Sequence, residues 1–197
     1  MDIIEHYDKL VNENNDPVYD PQPLKEYMDK WDGTDFIDAL RLDKEKTVLE
    51  IGVGTGRLAL KTIPFCKKFT GIDISPKTID RASQNLSKYQ NVELICDDFI
   101  THSFSCKFDI IYSSLTFMHI KEKLECINKI SHLLNFNGRF IISIDKNQNK
   151  YIEYDNRKLE IYPDNPNDIQ TYIKKSNLVS LDCIETEFAY IFVSSKA

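Results

Sequence analysis

The sequence predicts an α/β protein built on one doubly wound, Rossmann-like parallel sheet, and three observations carry that expectation. From about residue 46, short apolar strands alternate with amphipathic helices, an order that calls for parallel neighbours joined by right-handed crossovers. The first strand runs directly into a glycine-rich turn, VLEIGVGTGRL at residues 48–58, which holds three of the chain's six glycines. The last two strands, residues 179–186 and 188–194, are joined by almost no loop, so that pair must be antiparallel. Glycine has no Cβ and lets a ligand lie directly on the backbone. Such a turn, between a strand's carboxyl end and a helix's amino end, forms a nucleotide-type site.

The elements follow in order. Residues 1–45 read as a helical extension: Ile3, Ile4, Tyr7 and Leu10 keep helical spacing, and DPVYDPQP, with three prolines in eight residues, breaks the helix. A second helical stretch holds Tyr27, Met28 and Trp31, and a third runs from about Thr34 to Leu40. Residues 46–197 then form the α/β domain. Strand 48–51 leads to a helix near 56–65, and strand 69–72 to a helix near 76–88, where Ser75-Pro76 supplies the N-cap and a first-turn proline. Strand 92–95 and the apolar strand FDIIY at 108–112 follow, then a helix over about 121–134. Asn137-Gly138 turns the chain into strand 139–144, YIEYDNRKLEIY suggests a hairpin turning at Asp155-Asn156, and Asn165-Pro166 starts a helix to about Lys175.

The bulk numbers suit a single soluble domain: 197 residues, 42% hydrophobic and 28% charged. A net charge of −6 weighs against a nucleic-acid backbone as partner. No apolar run approaches the roughly 18 residues that span a membrane, and the acidic start MDIIEHYDKL is no signal peptide. Five cysteines with no CxxC pair point to a reduced cytoplasmic setting, and four scattered histidines give no metal-ligand spacing.

Gly54 to Ala59 fits the GxGxxA form of the dinucleotide fingerprint, so a nicotinamide-dependent oxidoreductase is one reading. Against it stand Glu50 inside the strand end, some 46 residues ahead of the loop, and the terminal antiparallel pair. From about residue 46 to the end the chain resembles the class I S-adenosylmethionine-dependent methyltransferases. VLEIGVGTGRL is similar to that family's first motif, GIDIS to its second and VELICDDF to its third. FDIIYSSLTFMHI resembles the segment beside the methionine moiety, and NGRFIISI the fifth strand. The resemblance implies a seven-stranded sheet in the order 3-2-1-4-5-7-6 with strand 7 antiparallel, and S-adenosyl-L-methionine as cofactor.

It also implies roles. Gly52, Gly54 and Gly56 would pack against the methionyl part and the ribose, Asp73 would accept both ribose hydroxyls, and Ile74 would lie on the adenine. Glu50 has two readings, a contact to the cofactor's amino group or a partner of the loop N–H groups. Aligned on VELI, Asp98 rather than Asp97 takes the adenine amino hydrogen, with the Phe99 N–H meeting a ring nitrogen. Ser113, with Ser114, lines the methionine end, and His119 anchors the following helix. The implied chemistry is in-line methyl transfer, governed mainly by positioning. No acceptor signature is present: strand four ends in Tyr112-Ser113-Ser114-Leu115 rather than Asn/Asp-Pro-Pro-Tyr. Tyr7, Tyr19, Trp31 and Tyr151 are the candidate substrate contacts, and the short chain favours a small-molecule acceptor. A non-catalytic S-adenosylmethionine-binding protein is the alternative from another class. The proline-broken segment 1 to about 32 is expected to be a lid.

Overall fold

The computed structural model describes residues 2–154 and 156–197. Its sheet is laid down by β1 (Thr47–Ile51), β2 (Lys68–Asp73), β3 (Val92–Cys96), β4 (Phe108–Ser114) and β5 (Leu134–Asp145). A small hairpin, β6 (Tyr151–Tyr154) and β7 (Arg157–Glu160), precedes β8 (Leu178–Glu185) and β9 (Ala189–Lys196). The seven long strands stand in the order β3-β2-β1-β4-β5-β9-β8. β1 to β5 pair in parallel, and β9 runs antiparallel to both β5 and β8. With the hairpin set aside, this is the expected order 3-2-1-4-5-7-6.

Side chains of a strand alternate between faces, and here both faces are covered. Leu49 and Ile51 of β1 join a core with Ile127 and Ile130 of α6 (Lys123–Leu133) and Ile169 and Ile173 of α7 (Pro166–Lys175). Val48 enters the opposite core, with Phe36 and Leu40 of α3 (Gly33–Leu40) and with Leu86, just past α5 (Pro76–Asn85). The carboxyl ends of β1 to β4 therefore leave a packed floor at one edge of the sheet, and the functional loops rise from it.

Three local expectations change. The helix near 56–65 shrinks to α4 (Ala59–Thr62) followed by a 3-10 turn at Ile63–Phe65, because Pro64 has no N–H to continue it. The Asn137-Gly138 turn lies inside β5, which begins at Leu134: Phe108 pairs with Leu134 but Ile110 with Arg139, and Asn137 takes φ +60°. Four residues of β5 stand opposite one of β4 between those two pairs, so Asn137-Gly138 still turns the chain, and regular pairing runs from Arg139, where the sequence predicts the strand to start. The hairpin forms with Tyr154 opposite Arg157, while the expected turn residue Asp155 lies outside the described residues.

The amino-terminal segment holds α1 (Ile3–Asn12) and α2 (Gln22–Met28), followed by α3. It is fastened to the sheet edge by carboxylates. Asp8 Oδ1 accepts from Ser75 Oγ (2.7 Å) and the Lys77 N–H (3.2 Å). Asp16, 5% exposed, accepts from Thr55 Oγ1 at 2.7 Å and from Asn85 Nδ2 at 3.0 Å. Asp32, 1% exposed, accepts from Arg57 Nη1 (3.0 Å), the Gly33 N–H (2.8 Å) and Ser114 Oγ (2.8 Å). A proline-broken chain with few apolar anchors is thus held by charge at three points. No helix among the described residues is long and apolar enough to cross a membrane.

The Asp32–Arg57 pair sets an expected outcome. Asp32→Ala strands a largely buried guanidinium and should cost about 3–5 kcal/mol of stability, read as a lower urea midpoint at unchanged slope. A midpoint within error of the parent would show that the pair does not hold the segment.

Candidate functional site

The glycine turn, the end of β2 and the end of β3 enclose a cavity of about 610 Å³. Asp73 ties its walls together. Its Oδ2 accepts the Gly54 N–H at 3.0 Å and its Oδ1 the Ser75 N–H at 3.1 Å, so one carboxylate bridges the turns after β1 and β2. Burial pushes this carboxyl up, against the lowering effect of those backbone donors. Ile74 lines the cavity beside it.

The glycines divide by role. Gly52 takes φ +75°, and a Cβ there would meet Thr116 Oγ1 at 2.0 Å, so no other residue fits between the loop and β4's exit. Gly54 takes φ +56° with nothing within 4 Å of a Cβ position, leaving bare backbone where a ligand can lie. Gly56 does not join the lining; the Leu86 side chain stands 3.2–3.3 Å from where its Cβ would be. It serves packing between loop and α5.

Glu50 lies at the cavity floor, 3% exposed. It accepts a hydrogen bond from Tyr112 Oη at 2.8 Å, and Tyr112 Oη also meets Thr62 Oγ1 at 3.0 Å. The loop N–H groups are met elsewhere: those of Gly52 and Val53 donate to the Ile72 carbonyl, at 2.9 and 3.1 Å. Burial pushes the Glu50 carboxyl up to about 8, so it is mostly protonated at neutral pH.

At the β3 end, Asp97 and Asp98 both line the cavity. Asp97 is occupied locally, accepting from the Asp98 N–H at 2.8 Å and pairing with His102 Nδ1 at 2.8 Å. Asp98 uses Oδ1 for the Ile100 N–H at 2.7 Å. Phe99, 6% exposed, contributes to the wall. Ser113 does not line the cavity. Fully buried, it donates its Oγ to the Ile51 carbonyl at 2.9 Å, and Ser114, Leu115 and Thr116 face the cavity instead.

A second cavity of about 740 Å³ adjoins the first between the end of β5, the β6–β7 hairpin and α1. Tyr7 and Leu115 line both. At this seam Tyr7 Oη lies 2.7 Å from His119 Nε2. Burial pushes His119 down to about 4 and raises the Tyr7 phenol well above its ordinary value, so the pair is neutral at pH 7. Of the other aromatic candidates, Tyr151 lines the second cavity. Tyr19 is 72% exposed and lines neither; Trp31 packs its ring 4.7 Å from Phe188. Sequence reasoning missed Asp8, Asp16 and Asp32, which look like ordinary surface acids until tertiary structure supplies their partners. It also missed Arg57, read only as a position within the glycine motif.

A family model described as "Methyltransferase domain" matches residues 42–192. An uncharacterized methyltransferase of Staphylococcus carnosus is 29% identical over 96% of this chain and 94% of its own length. A malonyl-[acyl-carrier protein] O-methyltransferase of Ilyobacter polytropus is 30% identical over 51% of this chain. The chain spans only 38% of the length of that protein, and of the uncharacterized methyltransferase of Schizosaccharomyces pombe that it also matches. Among solved structures, the N-methyltransferase NodS of Bradyrhizobium japonicum, in complex with S-adenosyl-L-homocysteine, superposes with a TM-score of 0.64 at 18% identity, covering 81% of this chain and 84% of its own.

The Glu50 environment predicts a pH signature. A carboxyl raised from its ordinary value to about 8 favours the folded state fully at low pH, and that contribution is lost as pH rises through about 8. Glu50→Gln removes the titration, so its melting temperature should rise relative to the parent between pH 5 and pH 8.5, by the equivalent of a few kcal/mol. A difference between the two that does not change with pH would refute the assignment.

Proposed function

The chain belongs to the class I S-adenosylmethionine-dependent methyltransferases, and on that premise we propose that it methylates a small molecule held in the second cavity. The observation that carries this reading is the meeting of two cavities at Tyr7 and Leu115. One has the backbone and carboxylates suited to a nucleoside, and the other has room for a small acceptor at the same seam. Family membership sets the nicotinamide reading aside.

The residues present fit the cofactor. Asp73, already aimed by two N–H donors, takes the ribose hydroxyls, and the bare backbone at Gly54 lies along the ligand. Ile74 packs on the adenine, the Phe99 N–H meets a ring nitrogen, and Asp98 keeps Oδ2 for the amino group. Glu50 faces the cofactor's ammonium from the floor, which draws its proton off. Gly52 shapes the loop, and Gly56 and Ser113 support it from behind. When bound, S-adenosylmethionine supplies a methyl carbon on a sulfonium whose leaving group is neutral, so catalysis rests on positioning.

This chain's own residues then hold and exclude. Residues 1–45 form the cover and residues 46–197 the methyltransferase domain. Tyr7, held by His119, closes the seam against water. A histidine pushed down to about 4 is a poor proton acceptor at neutral pH, which suits an acceptor that needs no general base at this position.

Titration calorimetry with S-adenosyl-L-homocysteine tests the binding half. Asp73→Ala should weaken affinity about ten- to a hundredfold, from losing one or two charged hydrogen bonds. Unchanged affinity, or binding of NAD in its place, would refute the site. Label transfer from methyl-labelled cofactor to a panel of small amines, alcohols and thiols tests the catalytic half. Tight binding with no transfer to any of them would favour a non-catalytic binder.

A further inference from the structure

Glu50 differs from the other carboxylates around the cofactor loops in how few donors it meets. It lies at the floor of the first cavity, 3% exposed, and its Oε2 accepts from Tyr112 Oη at 2.8 Å. Tyr112 is fully buried, and its hydroxyl is shared with Thr62 Oγ1 at 3.0 Å. No hydrogen bond reaches Glu50 Oε1 among the described residues. Asp32, as deeply buried, accepts from Arg57, the Gly33 N–H and Ser114, and these donors hold its carboxyl below the ordinary range.

The elements packed against Glu50 give it no further relief. The N–H groups of Gly52 and Val53 go to the Ile72 carbonyl, that of Gly54 to Asp73 and that of Gly56 to the Val53 carbonyl. The titratable groups that face it are Tyr112 from β4, Arg57 from the glycine loop, Asp32 from the amino-terminal segment and Asp73 from β2. Arg57 is the cation among them, and its guanidinium is turned onto Asp32, Nη1 standing 3.0 Å from Oδ1. Asp32 and Asp73 both disfavour a further anion beside them. A carboxylate so placed is costly, so Glu50 carries a proton at neutral pH until a cation is brought to Oε1.

We propose that Glu50 is a specificity-determining residue of the first cavity, taking the ammonium at the amino-acid end of S-adenosylmethionine by giving up its own proton to solvent. The assignment rests on the proposed function, which brings that ammonium to the cavity floor, and adds the release of the proton and the selection that follows from it. One O–H bond breaks, the ammonium keeps its protons, and one proton leaves per cofactor bound. Adenine nucleosides without an amino-acid end make the same adenine and ribose contacts but leave Glu50 protonated. Acid therefore weakens cofactor binding and spares such nucleosides. The proton released makes cofactor affinity rise with pH, levelling off above about 8, where Glu50 has already lost it. Burial raises Asp73 too, but Asp73 meets the ribose that both kinds of ligand share, so a comparison of the two cancels its titration.

Titration calorimetry of the full chain at pH 7, in phosphate and in Tris, counts the protons released from the dependence of the heat on the buffer. The ligands are S-adenosyl-L-homocysteine and methylthioadenosine, which keeps adenine and ribose but has no amino-acid end. S-adenosyl-L-homocysteine should release about one proton more than methylthioadenosine. From pH 6 to pH 7 the ratio of the two affinities should rise about tenfold in favour of S-adenosyl-L-homocysteine, and it should flatten above pH 8. Glu50→Gln should remove both the extra proton and the slope while still binding methylthioadenosine. If that variant does not fold, the parent's proton counts with the two ligands decide the matter. Equal proton counts, a ratio that does not change with pH, or an extra proton that persists in Glu50→Gln would each overturn the proposal. Failure of the parent chain to bind either ligand would instead refute the cofactor site, and the proposal with it.

Discussion

The sheet's carboxyl edge is held together by carboxylates, and the site depends on them. Loops that leave a parallel sheet expose N–H and hydroxyl groups that no strand partner satisfies, and buried groups of that kind must find acceptors. Here four aspartates provide them. Asp73 joins the turns after β1 and β2. Asp8 reaches the amino end of α5, Asp16 the glycine loop at Thr55, and Asp32 both Arg57 and Ser114. Asp73 belongs to the sheet and the other three to the amino-terminal segment. The segment is therefore not laid over a finished site; it completes the hydrogen bonding of the loops that make the site.

That arrangement explains the seam between the cavities. With α1 fixed through Asp8, Tyr7 is delivered next to His119, where the exits of β4 and the opening of the second cavity meet. From the other side the hairpin is tied to α1 by Arg157 Nη2 and Glu13 Oε2 at 2.6 Å. Two elements outside the seven-stranded sheet thus shape the second cavity, and the sheet's loops shape the first. A common scaffold with a chain-specific roof is how one fold serves many acceptors.

The sheet was legible because its signals are local. The buried run in β4, the Ser75-Pro76 cap and the glycine turn each act over a few residues, and their order allows few topologies. Strand five was legible from the Asn137-Gly138 turn onward, while its earlier start at Leu134 shows only in the pairing with Phe108. The place of Asp73 on the cavity wall beside the glycine turn was legible from spacing. Gly56 and Ser113 sit in the right motif, yet their geometry faces Leu86 and Ile51, because motif membership does not report which way a side chain or Cβ points. Tyr19 and Trp31 were chosen as aromatic residues near the site, and aromatic character alone does not separate a cavity wall from a surface or packing position. The partners of Asp8, Asp16 and Asp32 lie tens of residues away in sequence, so no local pattern reveals them.

The central claim, that the amino-terminal segment and the cofactor loops form one hydrogen-bonded unit, is tested most directly by hydrogen exchange with and without S-adenosyl-L-homocysteine. The amides of residues 3–20 should gain protection together with those of residues 52–58 and 73–78. Protection that rises in the two loops while residues 3–20 exchange at the same rate in both states would contradict it.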